Sequence, residues 1–283
     1  MSTVDIDHLK TWIGRQEVLD DTVTPVPVAA MAATLDRAEP LPAPGDVLPP
    51  LWHWLYFLPR PLASAIGPDG HAKRGGFLPP VPLPRRMWAG GRLRFHRDLH
   101  VGEAIRRTST VADVSMKEGR TGPLVFVLLR HEIAGPEGLA ITEEHDIVYR
   151  EMPAPGAPAP KPFTAPAEST WERAIHPDEV LLFRYSALTF NGHRIHYDRS
   201  YVTQEEGYPG LIVHGPLIAT LLVDLWRRHS SARLASFSFR AMSPLFDISD
   251  FTVCGTPGAD GSVALWARNA DGFLAMEAQA VTA

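Results

Sequence analysis

The sequence has a single cysteine, Cys254. That excludes an intrachain disulfide framework and a zinc site built from several thiolates, and a reducing cytoplasm is the expected setting. Basic charge is also scarce. Lys and Arg together number 27 against 32 Asp and Glu, for a net charge of -5. A nucleic-acid partner, which would want a basic face, is therefore not expected. Long apolar runs are missing too. The most apolar stretch, LIVHGPLIATLLVDLW, is interrupted by His214 and Asp224, so no membrane span is expected. The opening MSTVDIDHLKTWIG carries two Asp residues and no apolar core, unlike a secretory signal. Neither of the usual glycine-rich nucleotide cradles occurs. No cofactor and no metal are expected.

Proline, by contrast, is abundant at 27 residues, and six of them fall between Pro153 and Pro166 in PAPGAPAPKPFTAP. Proline lacks the backbone N–H and fixes φ, so this segment favours a stiff, extended connection. It divides the 283 residues into an N-terminal domain, 1–150, a linker, 151–166, and a C-terminal domain, 167–283.

The two parts show a similar order of elements. In the first, helices are expected near Ile6 to Arg15 and over VPVAAMAATLDRA, followed by an irregular Pro- and Gly-rich stretch. RLRFHRDL, AIRRTSTVADVSMK, GPLVFVLLRHEIA and GLAITEEHDIVYR then read as a four-strand antiparallel meander. In the second, EVLLFRYSAL reads as a strand, and GPLIATLLVDLWRR as a helix apolar enough to be buried on all sides. The strands RLASFSFRA, LFDISDFTVCG, SVALWARNA and FLAMEAQAVTA follow. The fold class is α+β, duplicated.

Between the expected strand and the buried helix lies FNGHRIHYD, residues 190–198, where proton-handling side chains crowd between apolar segments. YSALTFNGHRIHYD followed by LIVHG resembles the signature of the MaoC-like (R)-specific enoyl-CoA hydratases. In that family a Ser-Gly-Asp strand end leads to an Asn-Pro-Leu-His, and a His-Gly opens the central helix. The whole chain is similar in layout to type 2 hydroxyacyl-thioester dehydratases and to mesaconyl- and itaconyl-CoA hydratases. The resemblance implies a double hot-dog, with a degenerate N-terminal unit before a catalytic one and each sheet wrapped around a central helix. It places His196 at the family's catalytic His, Asn191 where the broad family has Asp, and Gly215 at the helix-start Gly. The Asn departs from the broad pattern but matches the Asn-x-His-x-Ile-His form of the type 2 subgroup.

The implied reaction is hydration of an enoyl-CoA, or its reverse. It needs a base for water, a proton for the α-carbon and stabilisation of charge on the thioester oxygen. His196 is the expected base. Asn191, which cannot shuttle protons at neutral pH, is expected to hold the water, or else to serve only as the first residue of an Asn-Gly turn. Gly215 is expected to offer its N–H to the oxyanion at the positive end of a helix, or else simply to precede Pro216 at the helix start. His214 is expected to shape the site or cap the helix, with no proton role.

Arg184, placed by strand alternation beside Leu182 and Ser186, and Arg194 are candidates either for structural ion pairs or for gripping the free carboxylate of a C5 dicarboxylyl-CoA. His193 and Tyr197 are candidates for substrate contact, and Asp198 for orienting a neighbour. Trp52, His53 and Trp54 are expected to pack at the seam of the two units or to wall a tunnel. Lys73, Arg74, Arg85 and Arg86 are expected in a solvated loop, or against CoA phosphates.

The expected partner is an acyl-CoA, and a homodimer is allowed. A 3-hydroxyacyl-thioester dehydratase of fatty-acid synthesis is the alternative substrate reading. A hot-dog thioesterase is the alternative chemistry, disfavoured because no carboxylate stands at position 191. A non-catalytic acyl-CoA sensor is disfavoured because His196 is present.

Overall fold

A computed structural model describes residues 4–119, 122–152 and 161–283. The elements are α1 (Ile6–Lys10), β1 (Gln16–Thr22), α2 (Pro25–Thr34), β2 (Arg85–Phe95), β3 (Ala104–Gly119), β4 (Gly122–Gly135) and β5 (Gly138–Arg150). They continue with β6 (Trp171–Ile175), α3 (Glu179–Leu188), α4 (Gly215–His229), β7 (Leu234–Ala241), β8 (Phe251–Pro257), β9 (Ser262–Asn269) and β10 (Leu274–Thr282). Residues 153–160, most of the expected linker, lie outside the described residues. Among the described residues, no helix is long and apolar enough to cross a membrane.

All ten strands form one antiparallel sheet in the order β1-β3-β4-β5-β2-β7-β10-β9-β8-β6. Read outward-in from each edge, the two five-strand sets have the same internal order. The seam is the β2–β7 pair, where Gly91 faces Phe239 and Arg94 faces Ser236. Glycine is needed at the seam. A Cβ on Gly90 would come 2.7 Å from the Phe239 carbonyl oxygen, and one on Gly91 would come 2.9 Å from the Phe239 ring. Trp54 packs edge-on against Trp88, 5.2 Å away, and Phe239, 6.3 Å away. His53 and Trp54 both donate to the buried Glu143. The tryptophan cluster is therefore seam packing.

The buried helix is as its sequence requires. Ten consecutive residues of α4, Leu217 to Trp226, are buried, and they join one core that includes Val28, Met31 and Leu35 near α2 and Phe237, Val253 and Leu265 of the sheet. Among them sits a carboxylate. Asp224 is 1 % exposed and is held at 2.8 Å by each of Arg37, Arg173 and Arg228.

Three expectations are corrected. EVLLFRYSAL is helix α3, not a strand. Asp178 caps it, its carboxylate accepting from the Leu181 N–H at 2.8 Å, with Glu179 in the first turn. Leu182, Tyr185 and Ser186 are its buried residues, which is helical spacing, not alternation. The four-strand meander holds only for β3, β4 and β5, since β2 pairs with β5 and not with β3. The first strand of each set, β1 and β6, carries too weak a signal to have been expected. Both are edge strands with half their residues in solvent, where apolar alternation has no core to answer to.

Candidate active site

Helix α3 ends in a left-handed residue, Phe190 (φ 49°), a conformation that normally terminates helices. The chain then turns at Asn191, whose Oδ1 accepts from the His193 N–H at 3.0 Å, an Asx turn. A short 3-10 turn, Arg194–His196, follows. This path lowers His196 into the protein, where it is 7 % exposed. Its Nδ1 donates to the Ile212 carbonyl at 2.7 Å. A carbonyl only accepts, so this bond fixes the proton on Nδ1 and leaves a lone pair on Nε2.

The His196 ring stacks on that of His214, with centroids 3.6 Å apart and planes 19° off parallel. His214 is the N-cap residue of α4, and its Nε2 pairs with the buried Ser186 hydroxyl of α3 at 2.8 Å. Gly215 comes next. No side chain caps the helix, Pro216 supplies no N–H, and a Cβ on Gly215 would meet nothing within 4 Å. The imidazole and the open helix start are thus adjacent.

The N-terminal part of the chain also reaches this place. Gly70, at φ +88°, lies so close to the Gly192 carbonyl that a Cβ there would collide with it. The Arg194 N–H donates to the Asp69 carbonyl at 2.9 Å, and its guanidinium donates to the Pro68 carbonyl at 2.9 Å. The clamp brings in His71, whose ring lies 4.0 Å from that of His193. His193 in turn lies 5.4 Å from His196. Asp69 accepts from His71 through both its backbone N–H and its Nδ1. Asp69, His71 and His193 offer ligand atoms within 4.8 Å of one another, and they are the described residues that could hold a metal ion.

Burial dominates the electrostatics. It pushes His196 down to about 4, the charge of His71 acting in the same direction and the Ile212 carbonyl opposing it. His193 falls to about 2 through burial and then the neighbouring His71 and His196. Burial also lowers His71, against the pull of Asp69, and holds His214 well below its ordinary range. At neutral pH His196 and His193 are therefore uncharged.

The sign of the pH dependence follows. A reaction that uses the Nε2 lone pair as base requires the neutral His196 ring, and kcat/KM reports the free enzyme. The rate should stay level from pH 7 down to about 5 and fall about tenfold per unit below a midpoint near 4. A pH profile of kcat/KM, with circular dichroism to confirm folding at each point, checks this. An acid midpoint near 6.5 would mean the buried ring does not govern turnover.

The remaining expectations sort clearly. Arg184 stands on the solvent face of α3 and is exposed; the inward placement assumed a strand and is corrected. Arg194 turns its fork onto Asp198 at 2.7 and 3.0 Å and its plane over Tyr201 at 4.2 Å, so it orders the turn. Asp198 is the orienting group expected. Tyr197 is 51 % exposed and donates to the Gly192 carbonyl. Arg74 donates to the carbonyls of Val81, Leu83 and Pro84, and Arg85 to Glu206.

Sequence reasoning missed Asp69 and His71, and it understated His214. A hollow of about 880 Å³ at the sheet, lined by Arg92, Asp146, Arg240 and Glu277 among others, contains none of these histidines.

Known proteins resemble this chain in sequence and in fold. Residues 51–247 match the family model described as hydroxyacyl-thioester dehydratase type 2. The chain is 49 % identical over 270 residues to a mesaconyl-C(4)-CoA hydratase of Chloroflexus aurantiacus, covering 94 % of this chain and 95 % of that one. Among solved structures, a MaoC-like dehydratase from Phytophthora capsici superposes with a TM-score of 0.66 at 15 % identity, over 99 % of both chains. A Mycobacterium tuberculosis protein described as having a double hotdog fold superposes with a TM-score of 0.58 at 14 % identity, over 96 % of both. The ten-stranded sheet and its internal repeat are this double hot-dog.

Proposed function

That the chain belongs to the hydroxyacyl-thioester dehydratase type 2 family is the premise from which we propose its reaction: reversible addition of water across the α,β double bond of a C5 dicarboxylyl-CoA, with mesaconyl-C4-CoA as substrate and citramalyl-CoA as product. The chain is a hydro-lyase acting on acyl thioesters. The 49 % identity to a hydratase of that name supports this choice of substrate.

The observation that carries the mechanism is the Nδ1 bond of His196 to Ile212 at 2.7 Å, on a ring stacked against the residue that precedes Gly215. Nε2 of His196 takes a proton from water as the oxygen bonds to the β-carbon. Electron density moves through the double bond onto the thioester oxygen. The Gly215 N–H, aided by the helix dipole, receives that charge. The imidazolium then returns the proton to the α-carbon, and one water has been added. Asn191 orders the water through the second lone pair of its Oδ1, the first being taken by the His193 N–H. The units divide as 1–150 and 167–283, and because one chain already contains the paired sheets, the proposed centre needs no second copy.

The test is a panel of enoyl-CoA thioesters, followed by loss of enoyl absorbance with a thiol reagent present. Mesaconyl-C4-CoA should lose absorbance without releasing free CoA, and faster than longer monocarboxylic enoyl-CoAs. Release of CoA would indicate thioester hydrolysis. Preference for long monocarboxylic chains would favour the fatty-acid dehydratase reading, which the family description supports.

A further inference from the structure

A base must present its lone pair in a fixed direction, and one hydrogen bond does not achieve that. The bond from His196 Nδ1 to the Ile212 carbonyl is an axis about which the ring can still swing. The plane of the ring needs a second constraint. His214 supplies it, lying flat against His196 with centroids 3.6 Å apart and planes 19° from parallel.

His214 is itself held by two neighbours on α3. Tyr185 packs against it with centroids 5.0 Å apart, and the Ser186 hydroxyl meets its Nε2 at 2.8 Å. All three residues are buried. The direction of the Ser186 bond follows from counting partners. Nδ1 of His214 is buried without a partner among the described residues. A charged ring would bury an unpaired, charged N–H there, so the ring is neutral. If Nε2 carried the proton, the Ser186 O–H and the Nδ1 lone pair would both go unpaired. If Ser186 donates to Nε2, only the Nδ1–H does, and this is the better-satisfied arrangement. His214 then has no lone pair left to take a proton, which leaves it a part in geometry.

Ser186 has a second duty. Its carbonyl accepts from the Asn191 N–H at 2.8 Å, the six-to-one bond that closes a helix whose last residue turns left-handed. The same residue thus ties down Asn191 through its backbone and, through His214, the ring of His196.

We infer that Ser186 and His214 form one positioning unit for His196, the hydroxyl fixing the plane of His214 and the face of His214 fixing the plane of His196. This rests on the role of His196 as base proposed above. Misplacing a reacting group by about 1 Å costs on the order of 100-fold in rate, so the unit acts on kcat and leaves thioester binding alone.

Steady-state kinetics with mesaconyl-C4-CoA test this, with circular dichroism on every variant. His214→Ala removes the flat neighbour and should lower kcat about 10- to 100-fold. His214→Phe restores a flat ring without the Ser186 bond, and should recover all but about 3- to 10-fold, the worth of one neutral hydrogen bond. Ser186→Ala should cost about the same 3- to 10-fold, and Ser186→Ala combined with His214→Phe no more than either alone. KM should change less than about twofold throughout. In a His196→Ala background, Ser186→Ala should have no further effect, because its action passes through the missing ring. Losses that multiply in the double variant, or a full further loss in the His196→Ala background, overturn the unit. So does a His214→Phe enzyme as slow as His214→Ala, which would give the imidazole a chemical role. Folded variants that keep the wild-type kcat overturn it as well, leaving these contacts to structure alone. A His196→Ala enzyme with wild-type turnover sinks the base itself. An enzyme that depends on His196 but in which Ser186 and His214 act separately sinks only the positioning unit.

Discussion

Replacing His196 by Ala should lower kcat/KM about 10²- to 10⁴-fold, the range that a placed proton-transfer group contributes. The reason is local. Nδ1 of His196 is committed to Ile212, so one nitrogen remains to accept a proton. The nearby imidazoles cannot substitute for it. His214 sends Nε2 to Ser186, and the centre of the His193 ring lies 5.4 Å from that of His196. The remaining activity would come from the Gly215 N–H and the pocket shape, which the substitution leaves in place. KM should therefore move little while kcat collapses, which separates loss of the base from loss of binding. Steady-state kinetics on the Ala variant, with circular dichroism as a control for folding, provide the measurement. Turnover within threefold or so of wild type would leave the proposed mechanism without its base.

The second large effect concerns stability. Asp224→Ala should destabilise the protein by about 3–5 kcal/mol, the cost of removing one partner from a buried ion pair. Asp224 lies in the middle of α4 and is almost wholly buried. Its three arginines come from separate places: Arg37 follows α2, Arg173 is in β6, and Arg228 is one turn further along α4. Arg173 and Arg228 also donate to the Leu35 carbonyl. Without the carboxylate, Arg173 and Arg228 would be left with the Leu35 and Asp36 carbonyls and Arg37 with Glu39, three guanidinium groups around an empty place. Urea unfolding at neutral pH should show a lower midpoint with an unchanged slope. A shift worth less than about 1 kcal/mol would mean that solvent, reaching the half-exposed arginines, already carries their charge.

The sequence made the sheet legible where one face is buried and the other wet. Strand β4 shows that alternation most plainly, β8, β9 and β10 each carry three consecutive buried residues and read as strands by their apolar, β-branched runs, and α4 announces itself by being apolar on every side. Helix α3 was misread because LLFRYSAL mixes aromatic and aliphatic residues in a way that suits either element. The decisive marks were Asp178 as cap and the i, i+3, i+4 spacing of Leu182, Tyr185 and Ser186. Of the candidate site, His196, Asn191, His214 and Gly215 could be found because they share one short stretch. Asp69 and His71 could not. They sit in an irregular segment without periodicity, more than a hundred positions earlier. The close approach of Gly70 to Gly192 and the Arg194 bonds to the Pro68 and Asp69 carbonyls carry them to the others, and no local pattern encodes such a meeting.

Because the strand order occurs twice and the histidine set once, the chain is a lopsided pair. A symmetric pair would repeat the histidine at the other helix start, but α2 opens there with Thr24 and Pro25. Under the proposed mechanism that copy handles no proton, so changes to its loops would leave the proposed base in place, and selectivity and reactivity would be separately adjustable in evolution.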